Sequence, residues 1–274
     1  MYIHEAIYDI DELVRENLHI HTEFSGCAKR EMTIENILET AKKTQLKMIA
    51  LTDHHHPATT DLFDKVEEWF KNRKKRKNNE PVTYLEKVAY IRKKVEEQDL
   101  PFKVLVGAEL SSYDIGKFSD TDEENAALDY RLYACNHYHT HAWGQPKEKS
   151  IDSYVRHCLD NIEALLKSNR ADCIAHPFTG RYLLKRISEL EGDPCKFSAA
   201  ITDNQIADIM EMSKISETAW ELNLPSVLGE PDFHRRFFNI GREVGAVFSM
   251  GTDAHKLEAV DPAVHTDELK KILL

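Results

Sequence analysis

Seven short runs of β-branched and apolar residues punctuate the chain, at 17–20, 47–51, 103–108, 131–135, 172–175, 218–222 and 246–250. Each is bounded by polar or turn-forming residues, which marks it as a strand. Between most of them the apolar spacing turns helical. Ile34, Ile37, Leu38 and Ala41 recur on one helix face, and Thr33 ahead of them is the expected N-cap. Strands alternating with helices predict βα units and a mainly parallel sheet, and seven of them in one chain predict a barrel.

Two excursions interrupt this rhythm. Residues 61–97 are helical in pattern and heavily charged, and they contain a basic run at 71–77 (KNRKKRK). That run is expected to be a solvated helix face, with a phosphate-contacting patch as the alternative. Residues 182–209 carry a Gly192-Asp193-Pro194 turn and the start of a helix from Asp203 to Met212, and are expected to form a cap-like insertion. Neither has the size or core of a second domain, so residues 1–274 are expected to fold as a single domain.

The composition agrees with this picture. Of the 274 residues 42% are hydrophobic, ample for the core of one α/β barrel. No apolar stretch approaches the ~18 residues that span a bilayer, and the first residues lack the basic-then-apolar plan of a secretory leader. With 36 Lys and Arg against 47 Asp and Glu the net charge is −11, which disfavours a nucleic-acid partner. Five cysteines without a C-x-x-C pair argue against a disulfide framework, and the expected location is the cytoplasm.

Histidine changes the picture. The chain has fourteen, and many follow the predicted strands. The first strand ends in His19-Ile20-His21, the second in Asp53-His54-His55-His56, the third in Glu109, and the fourth in His137-Tyr138-His139-Thr140-His141. The fifth ends in His176, and the seventh is followed by Asp253-Ala254-His255. Residues two apart on a strand face the same way, so each H-x-H or D-x-H pair aims two ligands together. The C-terminal rim of such a barrel is where active sites sit. Burying this many imidazoles and carboxylates together is costly without compensation. Metal ions provide it, and a mixed nitrogen and oxygen donor set suits Zn, Mn or Fe.

His19-Ile-His21, Leu51-Thr-Asp53-His54, Gly107-Ala-Glu109, Ala175-His176-Pro177 and Gly251-Thr-Asp253-Ala-His255 resemble, in order and spacing, the motifs of the PHP (polymerase and histidinol phosphatase) superfamily. The resemblance covers nearly the whole chain and is closest to histidinol-phosphatase-type members. It implies a distorted seven-stranded TIM-like (β/α) barrel and two or three divalent metal ions. It further implies one ion on His19, His21, Glu109 and Asp253, a second on Glu109, His137 and His176, and a third on His54 and His255. Asp53 is expected to orient a ligand histidine. His55, His56, His139 and His141 are expected around the ligands or in solvated loops, and His4, His157, His234 and His265 on the surface or in packing. Many members place a histidine or an acid five or six positions after the second histidine of the first motif, where this chain has Gly26 and Cys27. Cys27 is therefore either a thiolate ligand of the third ion or a small residue packed under the loop.

The implied activity is hydrolysis of a small phosphorylated metabolite, a phosphomonoester, by metal-activated hydroxide. Asp253 and His255 would serve the reaction at the metals, with His255 or a water on the third metal protonating the leaving group. Arg181 would clamp the phosphate, with Lys256 a weaker candidate for that role. Two other classes compete. A PHP-type nuclease or phosphodiesterase would draw on the basic run, and an amidohydrolase would share the first-strand H-x-H but would need a bridging lysine where this chain has Glu109.

Overall fold

A computed structural model of the chain describes residues 2–55, 83–140 and 143–274. The basic run at 71–77, most of the charged excursion, His56 and His141 lie outside the described residues. The strands are β1 (Glu16–Ile20), β2 (Met48–Leu51), β3 (Lys103–Asp114), β4 (Lys117–Phe118), β5 (Tyr130–Ala134), β6 (Cys173–Ala175), β7 (Ala219–Asn223) and β8 (Phe248–Gly251). All but β4 run parallel, in the order β1-β2-β3-β5-β6-β7-β8. The strand that sequence spacing did not anticipate, β4, folds back on the end of β3 as an antiparallel pair.

Seven parallel strands thus form a nearly closed α/β barrel. Closure comes at the C-terminal rim, where Ile20 bridges Ala254 in parallel. Ala254 donates its N–H to the His19 carbonyl (3.1 Å), and His21 donates to the Ala254 carbonyl (3.0 Å). Below this bridge Asn17 fastens the same seam, donating to the Thr252 hydroxyl (2.7 Å) and accepting from the Thr252 N–H (3.1 Å).

The third strand departs from the sequence expectation. It was expected to stop at Ala108 and offer Glu109 from its tip, but it continues to Asp114. Its first half pairs with β2 and its second half with β5, so Glu109 stands mid-strand. It still faces the rim, because β2 has ended there and only the His54–Glu109 bridge continues the pairing.

Helices 34–43, 84–96, 151–168 and 203–215 pack outside, capped by the side chains of Thr33, Thr83, Ser150 and Thr202. Their apolar faces meet the outer faces of the strands; Trp220 of β7, for example, packs on Phe178 and Phe237 and donates its indole N–H to Ser213 (2.7 Å). At the opposite end from the rim, Asp172 accepts from the Arg131 Nε (2.7 Å), the Arg131 N–H (2.7 Å) and the Tyr2 N–H (2.7 Å). The segment after β6 buries Leu183, Ile187, Leu190, Phe197 and Ile201 in the main core. Its Arg186 donates to the carbonyls of Tyr138 (2.7 Å) and His139 (2.9 Å), tying it to the loop after β5. Among the described residues no helix is long and apolar enough to cross a membrane.

Candidate metal centre

The bridge at Ile20 and Ala254 sets the centre. Both side chains are buried in the apolar layer, so their neighbours His19, His21, Asp253 and His255 turn to the other side. Three donor groups collect there, each with its ligand atoms within 4.8 Å of one another. They are His19, His21, Glu109 and Asp253; Glu109, His137 and His176; and His21, Cys27, His54 and His255. Glu109 belongs to the first two groups and His21 to the first and third.

Partners outside the cluster fix which ring nitrogen carries the proton. His19 Nδ1 lies 2.7 Å from Glu221 Oε1, a carboxylate that can only accept. Asn136 donates its amide to the His176 carbonyl (2.7 Å), which turns its Oδ1 toward His176 Nδ1 at 3.1 Å. His255 Nδ1 donates to the Asp253 carbonyl (2.7 Å). In each neutral ring the Nε2 lone pair therefore points inward. His19 Nε2 faces His21 Nε2 at 3.1 Å, and His176 Nε2 faces His137 Nε2 at 3.3 Å.

Glu109 Oε2 is buried and receives no hydrogen bond. Three imidazole nitrogens nevertheless stand near it: His54 Nδ1 at 2.8 Å, His19 Nε2 at 3.4 Å and His21 Nε2 at 3.5 Å. Acceptors facing acceptors repel unless a proton or a cation lies between them. Such a donor set, imidazole nitrogens converging on a buried carboxylate, fits divalent transition metals.

The protonation states follow the same logic. Burial works against charge on His19, but Glu221, Asp253 and Glu109 outweigh it and hold its pKa well above the ordinary histidine value. Burial likewise opposes charge on His54, and Glu109 with Cys27 outweighs it. Burial pushes His137 well below the usual range and lowers His21 to about 4. Glu109 and Asp253 stay ionised far into acid because the surrounding histidines overcome their burial.

Backbone strain gathers at the same place. His176 (φ +31°) and Asp253 (φ +52°) occupy the left-handed region, which costs non-glycine residues roughly 1–3 kcal/mol unless neighbours enforce it. Glu221 supplies that enforcement at His176, accepting its backbone N–H as well as His19 Nδ1. Gly251 leaves room for it, since a Cβ there would stand 1.9 Å from Glu221 Oε1.

Other expectations need correction. Asp53 does not orient a histidine; its two oxygens take the N–H (2.7 Å) and hydroxyl (2.6 Å) of Thr22, anchoring the loop that follows His21. The carboxylate that orients a candidate ligand, His19, is Glu221, which sequence reading missed. It lies inside an apolar-looking strand with no flanking motif, and only its burial marks it. Ser25, also unforeseen, sits 2.8 Å from His21 Nδ1 and accepts the His54 N–H (3.1 Å). Cys27 is exposed rather than packed under its loop, with Sγ 3.1 Å from His255 Nε2.

His55 stacks on Tyr84, and His139 on Tyr182. Arg181 lies over the Tyr182 ring (4.6 Å) and donates to Asp253 Oδ2 (3.2 Å), whereas Lys256 is exposed. His4 and His234 are packing residues, and His157 holds the buried Tyr138 hydroxyl at 2.9 Å. His265 is on the surface beside Glu268.

Comparison with known proteins agrees with this architecture. The family model of the PHP domain matches residues 17–211, and the chain belongs to the PHP family, whose domains are metal-dependent. Its fold is similar to the crystal structure of a proposed histidinol phosphatase from Listeria monocytogenes. That likeness has 12% identity, covers 92% of this chain and 99% of that one, and has a TM-score of 0.58. Weaker likenesses are to a family 5 glycoside hydrolase from Prevotella bryantii (9% identity, 100% of both chains, TM-score 0.31) and a Xaa-Pro dipeptidase (13% identity, 94% and 75%, TM-score 0.29). Neither bears on function. A search of curated protein sequences finds no significant match.

Proposed function

We propose that this PHP-family chain is a metal-dependent phosphatase acting on a small phosphomonoester of the histidinol phosphate kind. The observation that carries the reading is the convergence of imidazole nitrogens on the buried carboxylate of Glu109. His19, His21, Glu109 and Asp253 would hold one ion and Glu109, His137 and His176 a second, with Glu109 shared. His54 and His255 would contribute to a third. Divalent ions bound there supply an activated water and neutralise charge on phosphoryl oxygens.

The chain's own groups do the rest. Glu221, Asn136 and the Asp253 carbonyl fix the ligand rings, so the donors are set before any ion arrives. Arg181, beside Asp253, offers a planar fork of donors to phosphoryl oxygens. His255, the more exposed of these residues, would hold the third ion through Nε2, because its Nδ1 proton is committed to the Asp253 carbonyl, and so would act as a ligand rather than as the proton donor to the leaving group. The net charge of −11 favours a small substrate over a polynucleotide.

The test is a substrate panel on protein reconstituted with Zn, Mn or Fe. Phosphate release from p-nitrophenyl phosphate and from phosphorylated metabolites, including histidinol phosphate, is expected, with no turnover of single-stranded DNA or amides. Cleavage of DNA or amides without phosphomonoesterase activity would overturn the reading.

A further inference from the structure

We propose that Cys27 is a thiolate ligand of the third metal position, so that His54, His255 and one sulfur form a zinc-selective site beside two sulfur-free ones. This rests on the metallophosphatase reading above, and goes beyond it in assigning the sulfur and the metal preference.

The loop that presents Cys27 is built rather than loose. Thr22, anchored on Asp53, caps the short 3₁₀ turn Glu23–Ser25 by accepting the Phe24 N–H. Gly26 then takes φ +73°, a left-handed conformation that reverses the chain. Three residues further on, Lys29 donates its N–H to the His255 carbonyl at 2.8 Å, fastening the loop to the segment after β8. Cys27 is thereby held between two anchored points, with Sγ 3.1 Å from His255 Nε2 and within 4.8 Å of the donor atoms of His21 and His54.

The chemistry of the pair points to an ion. The His255 Nδ1 proton is committed to the Asp253 carbonyl, so Nε2 presents a lone pair to the sulfur. His21, which faces the first group through Nε2, also borders this one, so the third position adjoins the others. The imidazoles of His54 and His255 are neutral as ligands, and a thiolate would supply negative charge against a divalent cation. Sulfur is soft, and a donor set of nitrogen and thiolate selects zinc over manganese, whereas the other two groups contain only nitrogen and carboxylate oxygen. The remaining cysteines offer no such site: Cys135, Cys158 and Cys173 are buried in the core, and Cys195 lies on the insertion after β6.

The experiment uses the full chain, stripped with chelator and reloaded with Co(II), with Zn, or with Zn and Mn in competition. The wild type should bind three ions and show a thiolate-to-cobalt charge-transfer band in the near ultraviolet. Cys27→Ser should bind two ions and lose the band. Cys27→His should bind three without the band, and its preference for Zn over Mn should fall by at least tenfold. Iodoacetamide should label Cys27 at least tenfold faster after chelation, read by peptide mass spectrometry, with circular dichroism checking that each variant is folded. Two bound cobalt ions with no band, or labelling indifferent to chelator, overturns the thiolate site and leaves the metallophosphatase reading standing. Absence of any bound ion overturns both.

Discussion

Ile20 and Ala254 pair main chain to main chain across the seam of the barrel, and that pairing sets His19 and His21 against Asp253 and His255. The two motifs lie more than 230 positions apart in the sequence. Each is a triplet of two candidate ligands around a central residue that faces the apolar layer. Aligning the central residues brings all four candidate ligands to one side of the seam, so barrel closure and assembly of the donor cluster are one event.

Glu109 is the residue on which the first two donor groups depend. Glu109→Gln keeps the volume and removes the charge that both groups share. Activity should fall by at least about 100-fold and bound metal should drop, with the fold retained. His157→Ala, which loses contacts with the Tyr138 hydroxyl and with Asp114, away from the donor groups, should keep activity within about twofold at a cost near 1 kcal/mol of stability. Metal analysis and phosphate release on both variants check this, and equal losses would disprove the ligand map.

Glu221 should act through His19 and His176 without contacting substrate. Glu221→Gln is expected to weaken metal affinity about 10–100-fold while saturating metal restores most of kcat. Gly251→Ala should produce a related defect by steric means, because the new Cβ would meet Glu221 Oε1 at 1.9 Å and His19 Cβ at 2.8 Å. It should lower stability by about 1–3 kcal/mol. Metal titration and thermal melts separate the two effects.

Arg181 provides a test of phosphate recognition. Arg181→Lys keeps the charge and loses the fork. KM for a phosphomonoester should rise roughly tenfold, with a parallel weakening of inhibition by inorganic phosphate. An unchanged KM and inhibition constant would remove Arg181 from the site.

His234 predicts acid sensitivity away from the metals. It is fully buried, with Nδ1 donating to the Glu230 carbonyl (2.9 Å), and burial lowers its pKa from 6.5 to about 4. Between those values the unfolded chain binds the extra proton, so stability is present above pH 6.5 and is lost as pH falls toward 4. The loss should amount to at most about 3 kcal/mol. His234→Gln should flatten that slope relative to wild type in urea melts at pH 7 and pH 4.5, both in chelator. Parallel slopes would mean that other groups carry the acid transition.

Much of this was readable in one dimension because it depends on local rules. Strands announce themselves by short apolar runs, and all seven parallel strands begin within two residues of the runs that predicted them. H-x-H and D-x-H read as paired ligands because alternation along an extended chain is a backbone property. Thr33 read as a cap because capping is settled within four residues.

The tertiary structure decided what depends on distant partners. Glu109 sits mid-strand because β3 outruns β2 to pair with β5, and no local signal sets that stagger. Asp53 was expected to hold a histidine but faces Thr22, while Glu221, unremarkable in sequence, holds His19, because which carboxylate reaches which imidazole is fixed only when the barrel closes. The same closure brings Cys27 against His255 across 228 positions. The sequence determined which residues could be ligands; the closed sheet determined which of them meet.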